Sequence, residues 1–353
     1  MSEILVDLSS DTVTQPSLGM RQAIASAVVG DEQRHLDPTV SELERRGAAA
    51  VGQNEAIFLP SATMANHIAL KLLGRPGDEV IAEENSHLLI AESGGPAVHA
   101  GLITRGLPGR AGQFTPQQVR AAVHSGSSVH RPVTRIVAVE NTHNSAGGRI
   151  WQLDDIAAVA QTARELGLSL HLDGSRLFNA AVATGLLAAD FGRYFDTVTL
   201  CLSKGLGCPL GALLACSAEL APRARRLKHL FGGAMRQAGI VAAAGIYAFD
   251  HNISRLADDH TRARRLAQGL DSAGFPVDLP GVETNFVQLD VGVLGLTSHE
   301  ALARLESKGI GLSATVHPNV LRAVTHLDVT DDNIELAIEL IPSALRRRAP
   351  SLR

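Results

Sequence analysis

The sequence predicts an α/β fold: a mostly parallel sheet with helices on both faces, followed by a smaller C-terminal domain of mixed strands and helices. Three observations predict it. Short apolar runs alternate with helical stretches from about residue 56 onward, the rhythm of βαβ units. The run 198–202 reads as a strand buried on both faces, as parallel sheets require. Beyond residue 252 the alternation continues on a smaller scale. At 353 residues the chain exceeds one ordinary core. The expected organisation is an N-terminal arm over 1–20, a large domain over 21–252 and a small domain over 253–353.

Composition excludes several classes. Hydrophobic residues make up 45% and charged residues 19%, which suits a globular protein. A formal charge of −4 argues against a general polyanion binder. Aromatic residues at 3% leave little surface for stacking nucleic-acid bases. The start MSEILVDLSSD lacks the pattern of a signal peptide, and the Ala-rich run 238–248 is too short for a bilayer. The expectation is a cytoplasmic protein without nucleic-acid or membrane partners. Cys201, Cys208 and Cys216 lack CxxC spacing and read as reduced core thiols. The P-loop and HExxH patterns are absent, and no metal is expected.

In chain order, a helix is expected over 18–28, stopped by Gly30. Asp37 and Pro38 open a helix to about residue 51. A strand over 56–59 turns through Pro60 and Ser61 into a helix over 64–73. Ser61 or Thr63 there is either an ordinary N-cap or part of an anion site formed by free backbone N–H groups. Strands follow near 78–82, 101–104, 135–140, 169–172 and 210–215, with helices over 116–123 and 153–166. Further helices are expected over 235–251, 254–273, 298–308 and 331–346. Strands over 287–291, 309–313 and 320–324 complete the small domain.

In sheets of this kind ligands bind beyond the carboxyl ends of the strands. IVAVE runs into Asn141-Thr142-His143, LSLHL into Asp173-Gly174-Ser175-Arg176, and TVTLCL into Ser203-Lys204. Each alone has a plain explanation: a turn histidine, a capping aspartate, a lysine reaching water. Together on one sheet they suggest chemistry. A lysine beside apolar runs can form a Schiff base with a carbonyl cofactor, because desolvation depresses its pKa. An aspartate on a neighbouring strand end and an anion-binding helix N-terminus complete the requirements of pyridoxal 5′-phosphate.

The segments DLSSDTVTQP, DPTVSELE, FLPSATMAN, SHLLIAESGG, ENTHN, HLDGSRLFNA, CLSKGLGCPLGALLA, GGAMRQAGIVAAAGIYA and RAVTHLD, in that order, resemble the threonine aldolase family of pyridoxal-phosphate enzymes. The resemblance runs from end to end. It implies the fold type I architecture, with a seven-stranded, mostly parallel sheet. It implies cleavage of L-3-hydroxy-α-amino acids such as L-threonine to glycine and an aldehyde. Lys204 would carry the cofactor, Asp173 would meet its ring nitrogen, and His87 would stack on the ring. Ala62, Thr63 and Arg236 would lie at the phosphate, with Arg236 lent by a neighbouring subunit. Ser10, Arg176 and Arg322 would bind the substrate carboxylate, and His143 the hydroxyl. His87 and His143 are both candidates for the base. A homotetramer, a dimer of dimers with sites at subunit interfaces, is likewise implied.

The sequence also departs from the family pattern. Gln33-Arg34-His35-Leu36 stands where a valine-tyrosine-glycine run is usual, placing Arg34 and His35 at the substrate side chain. Ala62 and Met64 replace a glycine and a glutamine, Ser175 an alanine, and His229 a lysine beside Lys228. The same scaffold would also serve amino-acid racemisation or β-elimination, which break other bonds. A non-catalytic binding protein is the third reading.

Overall fold

The computed structural model describes residues 4–126 and 128–346, which form two compact units. The first, Gln15–Ser254, is built on a seven-stranded sheet. Its strands run in the order Glu55–Leu59, Ala212–Cys216, Thr197–Cys201, Ser169–Gly174, Thr134–Glu140, Glu79–Glu83 and Ile103–Leu107. Ala212–Cys216 is antiparallel to both of its neighbours, and the other pairs are parallel. Every residue of Thr197–Cys201 and Ala212–Cys216 is buried, because helices cover both faces. Burial of each large apolar side chain here contributes about 1.5–3 kcal/mol.

Local signals set the helices. Asp37 accepts from Val40 N–H at 3.0 Å, capping the helix Pro38–Ala50. Its other oxygen accepts from Gly30 N–H at 3.1 Å and Gly239 N–H at 2.8 Å, so one buried carboxylate joins three segments. Ser61 caps Ala62–Leu73 through Met64 N–H at 3.2 Å. The helix expected over 235–251 begins only at Gly239. Upstream, the Glu32 carboxylate accepts Met235 N–H and Arg236 O accepts Glu32 N–H, so this backbone is already engaged.

The second unit comprises residues 4–14 and 255–346. Residues 4–14 belong to it instead of standing as part of a separate arm. Val6–Asp7 pairs in parallel with Ile310–Gly311, and Val6 and Leu8 are buried in its core. The expected strand 309–313 is two short ones, because Ser313–Ala314 turns to pair with Val320–Val324, itself antiparallel to Phe286–Asp290. Helices Leu256–Ser272, Ser298–Glu306 and Asp331–Leu345 close this unit. Among the described residues no helix is long and apolar enough to cross a membrane.

Candidate active site

The carboxyl ends of four parallel strands of the large unit meet at one edge. Glu83, Glu140, Gly174 and Cys201 end them, and Glu140 lies opposite Asp173, which lies opposite Thr199. Beyond these ends follow His87, His143, Arg176 and Lys204. The sequence pointed to three of these ends; the fourth brings His87.

Asp173 is buried on the strand Ser169–Gly174. Its Oδ1 accepts from Ser175 N–H at 3.0 Å and its Oδ2 from Asn66 Nδ2 at 2.8 Å. Burial works to raise its pKa, but the charges of Lys204 and His87 hold the carboxyl below its ordinary value. Asp173 is therefore a buried anion. Lys204 is half-buried, and its carbonyl accepts Gly207 N–H at 2.8 Å, which folds the loop back under the lysine.

Asn66 links Asp173 to a second buried carboxylate. Its Nδ2 also donates to Glu92 Oε1 at 2.8 Å. Two carboxylate acceptors fix the amide orientation, so Asn66 Oδ1 must accept from His171 Nε2 at 3.1 Å. The His171 Nδ1 then accepts from Thr197 Oγ1 at 2.9 Å. Burial pushes the pKa of His171 down to about 4, so this histidine is a neutral spacer.

His87 opens the short helix His87–Ile90. Its backbone N–H donates to Glu140 Oε2 at 2.6 Å, while Glu140 Oε1 accepts from Asn144 N–H at 2.8 Å. One carboxylate thus ties two strand-end loops together. The His87 Nδ1 lies 2.9 Å from Glu92 Oε1. That bond, against the opposing effect of burial, raises the His87 pKa above the usual imidazole value. The side chain is 35% exposed, and Nε2 has no partner among the described residues.

His143 is placed differently. It is buried, its Nδ1 accepts from Ala146 N–H at 3.2 Å, and its Nε2 lies 3.0 Å from Glu83 Oε2. Burial lowers its pKa, but the Glu140 and Glu83 carboxylates outweigh that and raise it. Gly112, at φ +80°, lies against the ring: a Cβ there would come within 2.4 Å of it. In this conformation both His143 nitrogens face protein groups.

The remaining predicted residues fall in several places. Arg176 is buried at the start of Leu177–Thr184, with Nη1 3.4 Å from Asn144 Oδ1. Ala62 and Thr63 are half-buried in the first turn of Ala62–Leu73. Arg236 is exposed and pairs with Asp31 at 3.2 Å. Lys228 is buried against Glu32, a paired structural cation, whereas His229 is exposed. Arg34 and His35 are both exposed at the turn Glu32–Arg34. In the second unit, Ser10 caps the turn Asp11–Val13, accepting from Thr12 N–H at 3.2 Å. There too, Arg322 lies on Val320–Val324, donating to Ser313 Oγ at 3.2 Å and stacked 5.3 Å from the centre of the Phe286 ring.

Sequence reading missed Glu83, Glu92, Glu140, Asn66, His67 and His171. Positions within the quoted segments marked Glu92, Glu140, Asn66 and His171, while Glu83 and His67 lie outside them. Ser86 Oγ, Thr199 Oγ1, Asn141 Nδ2 and Thr142 Oγ1 are buried without a hydrogen-bond partner among the described residues. All lie in or beside these strand ends, and each such orphan costs about 1–3 kcal/mol.

Comparison with known proteins decides the family. Residues 7–292 match the family model described as beta-eliminating lyase. The chain is 37% identical over 340 residues to the Arabidopsis thaliana protein named probable low-specificity L-threonine aldolase 2, covering 94% of this chain and 95% of that protein. It is 37% identical over 331 residues to the low specificity L-threonine aldolase of Escherichia coli (strain K12), covering 94% and 96%. The chain belongs to the threonine aldolase family. Solved structures agree on the fold. A Leishmania major threonine aldolase superposes with a TM-score of 0.82 at 20% identity, over 96% of this chain and 99% of that one. A putative L-allo-threonine aldolase from Listeria monocytogenes gives a TM-score of 0.78 at 21% identity, over 97% of each chain. The fold type I expectation holds, and this threonine aldolase family member carries its ionisable cluster at the strand ends of the large unit.

Proposed function

We propose that this member of the threonine aldolase family cleaves the Cα–Cβ bond of L-threonine, L-allo-threonine and related L-3-hydroxy-α-amino acids, releasing glycine and an aldehyde, with Lys204, Asp173 and His87 at its centre. The observation that carries the assignment of residues is the buried Asp173 at a strand end, its two oxygens held by Ser175 N–H and Asn66 Nδ2, with Lys204 and His87 following the ends of other strands of the same sheet.

Pyridoxal 5′-phosphate suits this donor set. Lys204 would hold its carbonyl carbon and Asp173 its ring nitrogen, with the backbone N–H groups of Ala62 and Thr63, and Arg236, at the phosphate. The buried orphan hydroxyls and amide around the strand ends also suit a polar ligand there. When bound, the cofactor supplies an electron sink for the pair left at Cα when a bond there breaks.

The chain's own residues do the rest. Asp173, kept anionic, favours a protonated ring nitrogen. Arg176, buried beside the strand ends, binds the substrate carboxylate through charge-assisted hydrogen bonds and so sets which Cα bond is aligned to break. His87 takes the β-hydroxyl proton at Nε2, the nitrogen left free. His143 is the weaker candidate for the base, since it is buried, its Nδ1 accepts from Ala146 N–H and its Nε2 faces Glu83.

Large apolar side chains stand exposed on the large unit, among them Leu18, Val28, Leu36 and Leu230. They support burial between subunits and a homotetramer in which Arg34 and His35 face a neighbour's substrate side chain; a solution mass of four chains is expected and a monomer would contradict it. The substrate class is tested with L-threonine, L-allo-threonine, phenylserine, 3-hydroxyaspartate and alanine, following aldehyde, ammonia and loss of chirality. Aldehyde from the hydroxy amino acids alone is expected. Ammonia or racemised alanine in its place would favour the β-eliminating or racemising reading that the matched family description also allows.

A further inference from the structure

Glu92 has a fully buried side chain and, among the described residues, no lysine or arginine in ion-pair contact. Its Oε1 accepts from Asn66 Nδ2 and lies 2.9 Å from His87 Nδ1, and its Oε2 lies 2.8 Å from His67 Nε2. A buried carboxylate without a countercharge is costly, so here compensation comes from the Asn66 amide and the His87 imidazole, with the His67 ring at ion-pair distance. His67 is itself locked. It is buried, it stacks on His99 at 5.0 Å between ring centres, and Gly95 lies so close that a Cβ would come within 2.0 Å of the ring. His87 is the open end: half-exposed, with Nε2 unpartnered among the described residues.

We infer that Glu92 is a positioning residue for His87, holding the Nδ1 proton inward so that the Nε2 lone pair is presented as the proton acceptor. This rests on the reading of His87 as the proton carrier. The other charged groups facing the pair are Asp173, joined to Glu92 through Asn66, and Glu140, which accepts the His87 backbone N–H. Both carboxylates act in the same sense and raise the His87 pKa. The tautomer, however, is set only by the group on Nδ1.

The test is a histidine-ring NMR titration of His87 in the full cofactor-free chain, for wild type, Glu92→Gln and Glu92→Asp. It is paired with kcat and KM against pH for the cofactor-loaded enzymes. In Glu92→Gln the His87 pKa falls, and the acidic limb of kcat moves to lower pH with it. The maximal kcat drops on the order of 10- to 100-fold, while KM changes less than about threefold. Glu92→Asp keeps the charge at a longer reach and shows a smaller fall. A wild-type His87 pKa in folded Glu92→Gln overturns the inference, as does a kcat limb that stays put while the pKa falls. If Glu92→Gln does not fold, an unshifted His87 in Glu92→Asp overturns it equally. The titration needs neither substrate nor cofactor. A wild type that releases no aldehyde therefore defeats the functional reading while the titration still decides this one.

Discussion

Lys204→Ala is expected to lose cleavage of L-threonine by on the order of 10³-fold or more if, as proposed, the residue acts covalently, because nothing beside it can substitute. The same variant is expected to lose the visible absorbance of cofactor held on the lysine. Its fold should persist: Lys204 is half-buried, and the contact that shapes the loop is made by its backbone carbonyl to Gly207. A purified, folded variant that keeps the absorbance band would remove Lys204 from the centre of the site.

The second large effect is at Asp173. Asp173→Asn removes the anion while nearly preserving shape. Both carboxylate oxygens accept from N–H donors, Ser175 N and Asn66 Nδ2. An asparagine offers one oxygen and one NH₂, so one donor must face another donor. The stability loss expected is about 1–3 kcal/mol, read as a lower denaturation midpoint. Activity falls further, on the order of 10²–10³-fold, because the charge that tunes the cofactor ring is gone. A variant with unchanged kcat would mean that Asp173 is a structural anion only.

The pH dependence of stability follows from the same groups. Asp173, Glu92 and Glu83 are all held below their ordinary carboxyl pKa values. Their contribution is complete above the unfolded carboxyl pKa and is lost as pH falls through the lower folded values. His87 and His143, raised above theirs, add stability that is complete below the usual imidazole pKa and fades as pH climbs through the folded values.

Much of this site was legible because parallel sheets put function at strand ends. Asp173 and Lys204 each follow an apolar run directly, so chain order placed both at strand ends. The helix Ala62–Leu73 announced its N-terminus through Pro60 and Ser61. Glu92 and Asn66 were not legible in this way. Asn66 lies 107 residues from the Asp173 it bonds, inside a helix whose pattern reads as core. His171 looks like an interruption of an apolar strand, and only its contacts with Thr197 and Asn66 reveal a neutral spacer. The role of Lys228 was hidden for the same reason, since its partner Glu32 lies 196 residues away. The late start of the helix Gly239–His251 came from long-range backbone bonds at Met235 and Arg236, which override local helix preference.

The most direct measurement follows the Cβ carbon itself. L-threonine labelled with ¹³C at Cβ is incubated with the cofactor-loaded protein and the products are read by NMR. The label is expected in acetaldehyde, with unlabelled glycine formed in equal amount. Label in a 2-oxo acid accompanied by ammonia, or retained in inverted threonine, would show that a bond other than Cα–Cβ is broken and would contradict the account.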